Sequence, residues 1–132
     1  MRARPSVQSL AALAGVVFLL VGILGFVPGI TTHYGSMSFA GHGSGAKLLG
    51  IFQVSILHNL VHLLFGISGL VLAKTAEGAR TFLVGGGAVY LVLWVVGLVG
   101  ALAWLPANAA DNWLHFAFGA VLVGLGVLSR RA

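Results

Sequence analysis

His58 and His62 stand four residues apart, and so do Asp111 and His115. On an α-helix that spacing puts both side chains of a pair on one face. The two pairs are themselves related. Asn59-Leu60-Val61-His62-Leu63-Leu64-Phe65-Gly66 returns 53 positions later as Asn112-Trp113-Leu114-His115-Phe116-Ala117-Phe118-Gly119, with Asn, His, Phe and Gly keeping their places. His58 then matches Asp111, and His62 matches His115. If the helices that carry the two copies meet, three imidazoles and one carboxylate converge, with Asn59 and Asn112 beside them.

That set has two readings. Three imidazoles and a carboxylate are competent ligands for Zn²⁺, Fe²⁺, Mn²⁺ or Cu²⁺. His62 and His115 alone would suit the two axial positions of a b-type haem, or a quinone contact. The plainer reading is a polar clamp with no cofactor. In that reading Asp111 or Asn112 caps one helix, Asn59 caps the other, His115 bonds Asp111, and His62 bonds an Asn across the interface. Such pairs contribute on the order of 0.6–2 kcal/mol each in a membrane. The clamp is the leading expectation, and a metal or haem site at His58, His62, Asp111 and His115 is the alternative. His33 and His42 lie in a Gly-rich stretch and read as solvated. Tyr90 and Trp94, one turn apart, read as bundle packing, and Gln53 as a residue lining a loop–helix junction.

The elements that must position these residues are membrane spans. Only 7% of the 132 residues are charged, 59% are apolar, and the mean hydropathy is +1.07. A soluble protein carries about 25% charged residues, so this chain could not clothe a water-facing surface. Four apolar runs are long enough to cross a bilayer or nearly so: Val7–Val27, Ile51–Ala73, Phe82–Ala103 and Asn112–Leu128. The first is too long for a signal-peptide core and ends without a small-residue cleavage site, so it reads as a retained helix. Cysteine is absent, which excludes disulfides, thiol nucleophiles, iron–sulfur clusters and covalent haem attachment.

Lys and Arg give the direction. Arg2, Arg4, Lys74, Arg80, Arg130 and Arg131 fall on one side of a four-span chain and only Lys47 on the other. The bias places both termini in the cytoplasm and the His/Asp layer in the outer half. Trp104 and Trp113 flank the third loop, where an outer aromatic belt would lie. The net charge of +5 forms no nucleic-acid patch. The expected fold is therefore all-α, an integral membrane four-helix bundle. Two parallel repeated hairpins build it, about 7–73 and about 82–128, within one domain of residues 1–132.

Between the hairpins' first helices the match is weaker, Val21-Gly22-Ile23-Leu24-Gly25 against Val96-Gly97-Leu98-Val99-Gly100. Twenty glycines in all point to close helix approach, and Gly66 and Gly119, one turn below the repeated His, are the expected contact positions. The loop from Pro28 to Gly50 is rich in Gly and Ser. Alignment of the repeat starts helix 2 near His58, which leaves Lys47–Ile56 as a separate interfacial segment. Gly41–Lys47 lacks the spacing of a phosphate-binding loop.

Three strings carry a resemblance: Gly22-Ile23-Leu24-Gly25-Phe26-Val27-Pro28-Gly29-Ile30-Thr31-Thr32, Gly50-Ile51-Phe52-Gln53-Val54-Ser55-Ile56-Leu57-His58-Asn59, and Ala110-Asp111-Asn112-Trp113-Leu114-His115. The chain resembles, over nearly its whole length, an actinobacterial family of small four-span membrane proteins catalogued as a domain of unknown function. The resemblance implies a multi-pass plasma-membrane protein and brings no activity, substrate or cofactor. No nucleophile–base pair or paired carboxylate is evident, so the expected role is a structural or accessory subunit. Its expected partners are the lipid bilayer, other membrane subunits or further copies of itself, not nucleic acid.

Overall fold

The computed structural model describes residues 6–41, 43–99 and 108–129. Four helices dominate: α1 (Val7–Leu24), α2 (Ile56–Leu72), α3 (Ala76–Val99) and α4 (Ala109–Leu128). Three two-residue strands, β1 (Thr31–Thr32), β2 (Lys47–Leu48) and β3 (Phe52–Gln53), lie between α1 and α2. The all-α expectation holds for the bulk of the chain, and this small sheet is the exception. By length and composition α1, α3 and α4 could each cross a membrane. With 17 residues, α2 is shorter, about 25 Å against a hydrocarbon layer of about 30 Å.

Helix ends differ from expectation where a polar side chain captures a free N–H. The Ser55 hydroxyl accepts from the His58 N–H at 3.1 Å, so α2 begins at Ile56, and Ile51–Ser55 is not helical. Asn108 and Asp111 form a reciprocal capping box that starts α4 at Ala109, three residues before Asn112. Neither Asn59 nor Asn112 is a cap. The turn after α2 is short, because the Thr75 hydroxyl accepts from the Gly78 N–H at 2.9 Å and α3 begins at Ala76, well ahead of Phe82. His42, Trp104 and Arg2, Arg4, Arg130 and Arg131 lie outside the described residues.

Within each hairpin the helices run antiparallel and touch through glycine. A Cβ on Gly15 would stand 2.9 Å from the Gly66 carbonyl, and one on Gly66 2.7 Å from the Leu19 nitrogen. In the second hairpin a Cβ on Gly87 would stand 2.9 Å from the Gly119 carbonyl, and one on Gly119 2.9 Å from the Leu91 nitrogen. Backbones this close gain dispersion contact that no larger residue permits, the usual source of association where lipid cancels the hydrophobic drive. The two hairpins meet in a core of Val7, Ala11 and Phe18 from α1, Ala79, Phe82, Leu83 and Tyr90 from α3, and Leu122 from α4. At one end Gln8 Nε2 donates to the Lys74 carbonyl at 3.0 Å and Arg80 to the Ser129 carbonyl at 3.4 Å. The start of α1, the α2–α3 turn and the end of α4 therefore share that end.

The sheet closes the opposite end. It is antiparallel in the order β1-β2-β3, with Thr31 opposite Leu48 and Leu48 opposite Phe52. Leu49 and Gly50 both have positive φ in the turn between β2 and β3, and the Ile51 N–H donates to the Leu48 carbonyl at 3.1 Å. Ala46, Leu48 and Val54 form its own small core against Val21, Leu24, Met37 and Phe52. Thr31 donates to the Leu24 carbonyl at 2.9 Å, which ties the sheet to the end of α1. Leu49 and Ile51 remain more than half exposed. The expected interfacial segment at Lys47–Ile56 is thus largely strand and turn.

Candidate functional site

Beneath the sheet lies a buried polar layer. Ser55 sets the first turn of α2 so that His58 and His62 share its inward face, their ring centroids 4.4 Å apart. From α4, His115 brings its ring to 5.8 Å from His58. Tyr90 of α3 closes the group, 6.4 Å from His62 and 5.5 Å from His115. His62 and His115 are fully buried, and 8% of the His58 surface remains accessible. The structure therefore brings together the three imidazoles named from the sequence. It adds Tyr90, whose type and spacing on α3 suggest only bundle packing.

Below the layer the interior is aromatic. Phe18 stacks on Tyr90 with ring centroids 5.3 Å apart and also meets Phe65, Phe82 and Phe118. Above it the sheet supplies polar backbone. The His58 imidazole and the Asp111 carboxylate each hydrogen-bond the Gln53 backbone. The Gln53 side chain donates to the Ser44 carbonyl at 2.8 Å, so this residue does line the loop–helix junction. Asn108 reaches from α4 to the Ile51 carbonyl at 2.8 Å.

Asp111 is buried, but its carboxylate is committed elsewhere. It accepts from the Asn108 N–H at 3.0 Å while Asn108 Oδ1 accepts from the Asp111 N–H at 2.8 Å. The clamp bonds expected of the histidines are not made. His115 does not pair with Asp111, and His62 does not reach an asparagine. His58 Nδ1, His115 Nδ1 and both ring nitrogens of His62 are buried without a hydrogen-bond partner. As the side chains stand, no group of three or more His, Asp or Glu among the described residues is arranged to hold a metal ion. The His58 ring and the Tyr90 ring each adjoin both His62 and His115, so a macrocycle held between those two would have to displace them. His33 is exposed in the loop with a left-handed backbone, and Trp94 packs on Phe116 at 4.7 Å.

The two asparagines turn from the layer toward glycine within their own hairpins. A Cβ on Gly25 would overlap the Asn59 carboxamide, and one on Gly97 the Asn112 carboxamide oxygen. Both Oδ1 atoms lack a conventional donor and rest over a glycine Cα, whose hydrogens offer a weak C–H···O contact. Asn59 Nδ2 additionally approaches Met37 Sδ at 3.7 Å. Gly25 thus corresponds to Gly97, a displacement of 72 rather than the 75 that aligns Gly22 with Gly97. The same 72 relates Gly15 to Gly87, Phe18 to Tyr90 and Leu19 to Leu91, and this spacing is the signal in the sequence that would have found Tyr90. Gly25→Ala and Gly97→Ala are each expected to cost about 1–3 kcal/mol through overpacking. A melting temperature in detergent unchanged for both would remove the Asn–Gly contact from the packing scheme.

A family profile described as a domain of unknown function, DUF4383, matches residues 8–128. The chain belongs to that family. The DUF4383 match takes in α1 from Gln8 onward, the other three helices, the sheet and every residue of the buried layer. Among curated proteins nothing matches the chain, and the same is true of solved structures.

Proposed function

We propose that this DUF4383 protein is a multi-pass plasma-membrane protein of two equivalent helical hairpins, with both termini cytoplasmic, that serves as a non-catalytic accessory subunit. Equivalence is supported by the shared displacements of 72 for α1 and α3 and 53 for α2 and α4. These displacements extend to the outside of the bundle. A groove between α1 and α4 is lined by Leu10, Phe118 and Leu125, and its counterpart between α2 and α3 by Phe82, Phe65 and Leu72.

One observation carries the accessory reading. The polar layer ends on Phe18, Phe65, Phe82, Phe118, Leu83 and Leu122, and among the described residues no buried polar side chain continues it toward the inner end. A transporter needs polar groups that continue through the midplane, and a hydrolase needs a nucleophile beside its base. Neither arrangement occurs among the described residues. What the helices offer outward is apolar, from Leu13, Leu20 and Ile23 on α1 to Val92, Val95 and Leu98 on α3.

The orientation follows from the basic residues. Lys74 and Arg80 share the end opposite Lys47, and positive charge is retained in the cytoplasm. A reporter that is active only in the cytoplasm, fused after Ala132, is expected to be active, and one inserted beside Gly43 to be silent. The reverse pattern would invert the topology and move the histidine layer to the inner half. For the accessory role, the chain expressed at native level and extracted in mild detergent is expected in an assembly well above its own 13.6 kDa. A lone monomer under those conditions would overturn it.

A further inference from the structure

Leu49 and Gly50 form the centre of the β2–β3 turn, and both have positive φ, 56° and 72°. Turns of that kind favour Asn, Asp or Gly at these positions, and a bulky side chain is rare there. The turn itself does not call for leucine. Neither does packing, since Leu49 is 62% and Ile51 52% exposed. Ile30, whose carbonyl accepts from the Leu49 N–H at 2.8 Å, is exposed beside them. The patch is held in place from below and from the side. Leu48 is buried in the small core of the sheet, and the Ile51 carbonyl accepts from Asn108 Nδ2 at 2.8 Å. A strained backbone that presents apolar side chains outward marks a site of interaction.

We infer that the β2–β3 turn is an anchor in the outer membrane interface, with Leu49 and Ile51 in the acyl boundary and Lys47 on the phosphate of an anionic phospholipid. The inference rests on the membrane reading above. With 18 residues α1 is about 27 Å long, and α2 with 17 about 25 Å, against a hydrocarbon layer of about 30 Å. A sheet tied directly to the ends of these helices therefore lies at the hydrocarbon boundary and among the headgroups, not beyond them. Trp113, strongly exposed on α4 less than two turns beyond Asn108, is of the type that marks the headgroup level. The patch thus continues the apolar outer surface of the helices. Lys47 is exposed on β2 next to it, and among the described residues it is the only Lys or Arg at this end. A lysine stem can lie along apolar surface while its ammonium reaches a phosphate. Anchoring also steadies the layer beneath, because β3 runs from this turn to Gln53, whose backbone bonds His58 and Asp111.

The test uses the full chain, which has no cysteine, in lipid nanodiscs. Both faces of a nanodisc are accessible, so the outcome is independent of the orientation that the reporters read. Leu49→Cys supplies a single thiol for an environment-sensitive fluorophore. Its emission is expected to be quenched by spin-labelled lipid and shielded from aqueous iodide. The same label at Gly35→Cys, where the chain is exposed and a Cβ meets nothing within 4 Å, should respond to iodide. A Leu49 label open to iodide, or shielded from both quenchers as a protein partner would shield it, would overturn the proposal. Hydrogen exchange over residues 46–55 supplies a readout without a label. Replacing phosphatidylcholine by its mixture with phosphatidylglycerol should slow exchange by about fivefold, and Lys47→Gln should remove that difference. Leu49→Gly decides by sign. Glycine relieves the backbone, so exchange slows if the turn meets only water and quickens severalfold if the leucine is held in lipid. Slower or unchanged exchange in Leu49→Gly, or a lipid dependence that is missing in the wild type or survives in Lys47→Gln, would overturn the anchor and leave the topology standing.

Discussion

Gly66→Leu and Gly119→Leu are each expected to lower stability by on the order of 3 kcal/mol or more, enough to prevent accumulation of the folded protein. A Cβ alone at Gly66 would stand 2.7 Å from the Leu19 backbone nitrogen and 2.8 Å from the Gly15 carbonyl. At Gly119 it would stand 2.9 Å from the Leu91 nitrogen. These neighbours are backbone atoms of the partner helix and cannot swing aside as a side-chain tip would, so the helices must separate. Separation breaks the contact along the whole hairpin and withdraws His62 or His115, one turn away, from the polar layer. Gly85 and Gly124 provide the control, because a Cβ there meets no atom within 4 Å. Gly85→Ala and Gly124→Ala should leave the melting temperature unchanged or raise it, since alanine is favoured over glycine in a helix by up to about 1 kcal/mol. Leucine variants at Gly66 and Gly119 that melt like the controls would show that the hairpins are not held by these contacts.

Asp111→Ala is expected to be the second most damaging change, at about 2–4 kcal/mol. The carboxylate satisfies the Asn108 N–H that opens α4 and also engages the Gln53 backbone of the sheet. Alanine would leave both backbone groups without that acceptor beneath a closed lid and would break the capping box from one side. Asp111→Asn should fall between the two, because a carboxamide oxygen still accepts but without charge. The measurement is thermal unfolding in detergent, paired with limited proteolysis of the segment from Thr31 to Ser55. Loosening of that segment together with the helix start is the expected signature. Wild-type melting of Asp111→Ala would mean that the sheet and α4 are held by Asn108 and apolar contact alone.

Local signals in the chain determined much of this protein. Apolar runs almost without charge are compatible with a lipid environment, and three of the helices they form are long and apolar enough to cross a membrane. The repeated Asn-x-x-His-x-x-x-Gly string marks the inward face of α2 and α4, since helical periodicity places those residues on one stripe regardless of what they meet. The same string points to Gly66 and Gly119 as positions of close helix approach. The convergence of His58, His62 and His115 followed from the same periodicity and the supposition that the two copies meet.

Tertiary structure decided the rest. Helix ends depend on which polar side chain captures a free N–H, and Ser55 and Asn108 won over Asn59 and Asn112 for reasons that lie in the packing around them. The six-residue sheet was invisible because strands of two residues have no period to detect. They form only because the open end of the bundle needs a cover whose backbone can pair with itself and with His58, Asp111 and Asn108. The register of α1 against α3 was lost in sequence for a related reason. Gly15, Phe18 and Gly25 match Gly87, Tyr90 and Gly97 by the space they occupy, and space is settled only by the partner helix. Sequence named the imidazoles, but only packing could leave four of their nitrogens unpaired, because pairing depends on where every neighbouring donor and acceptor turns.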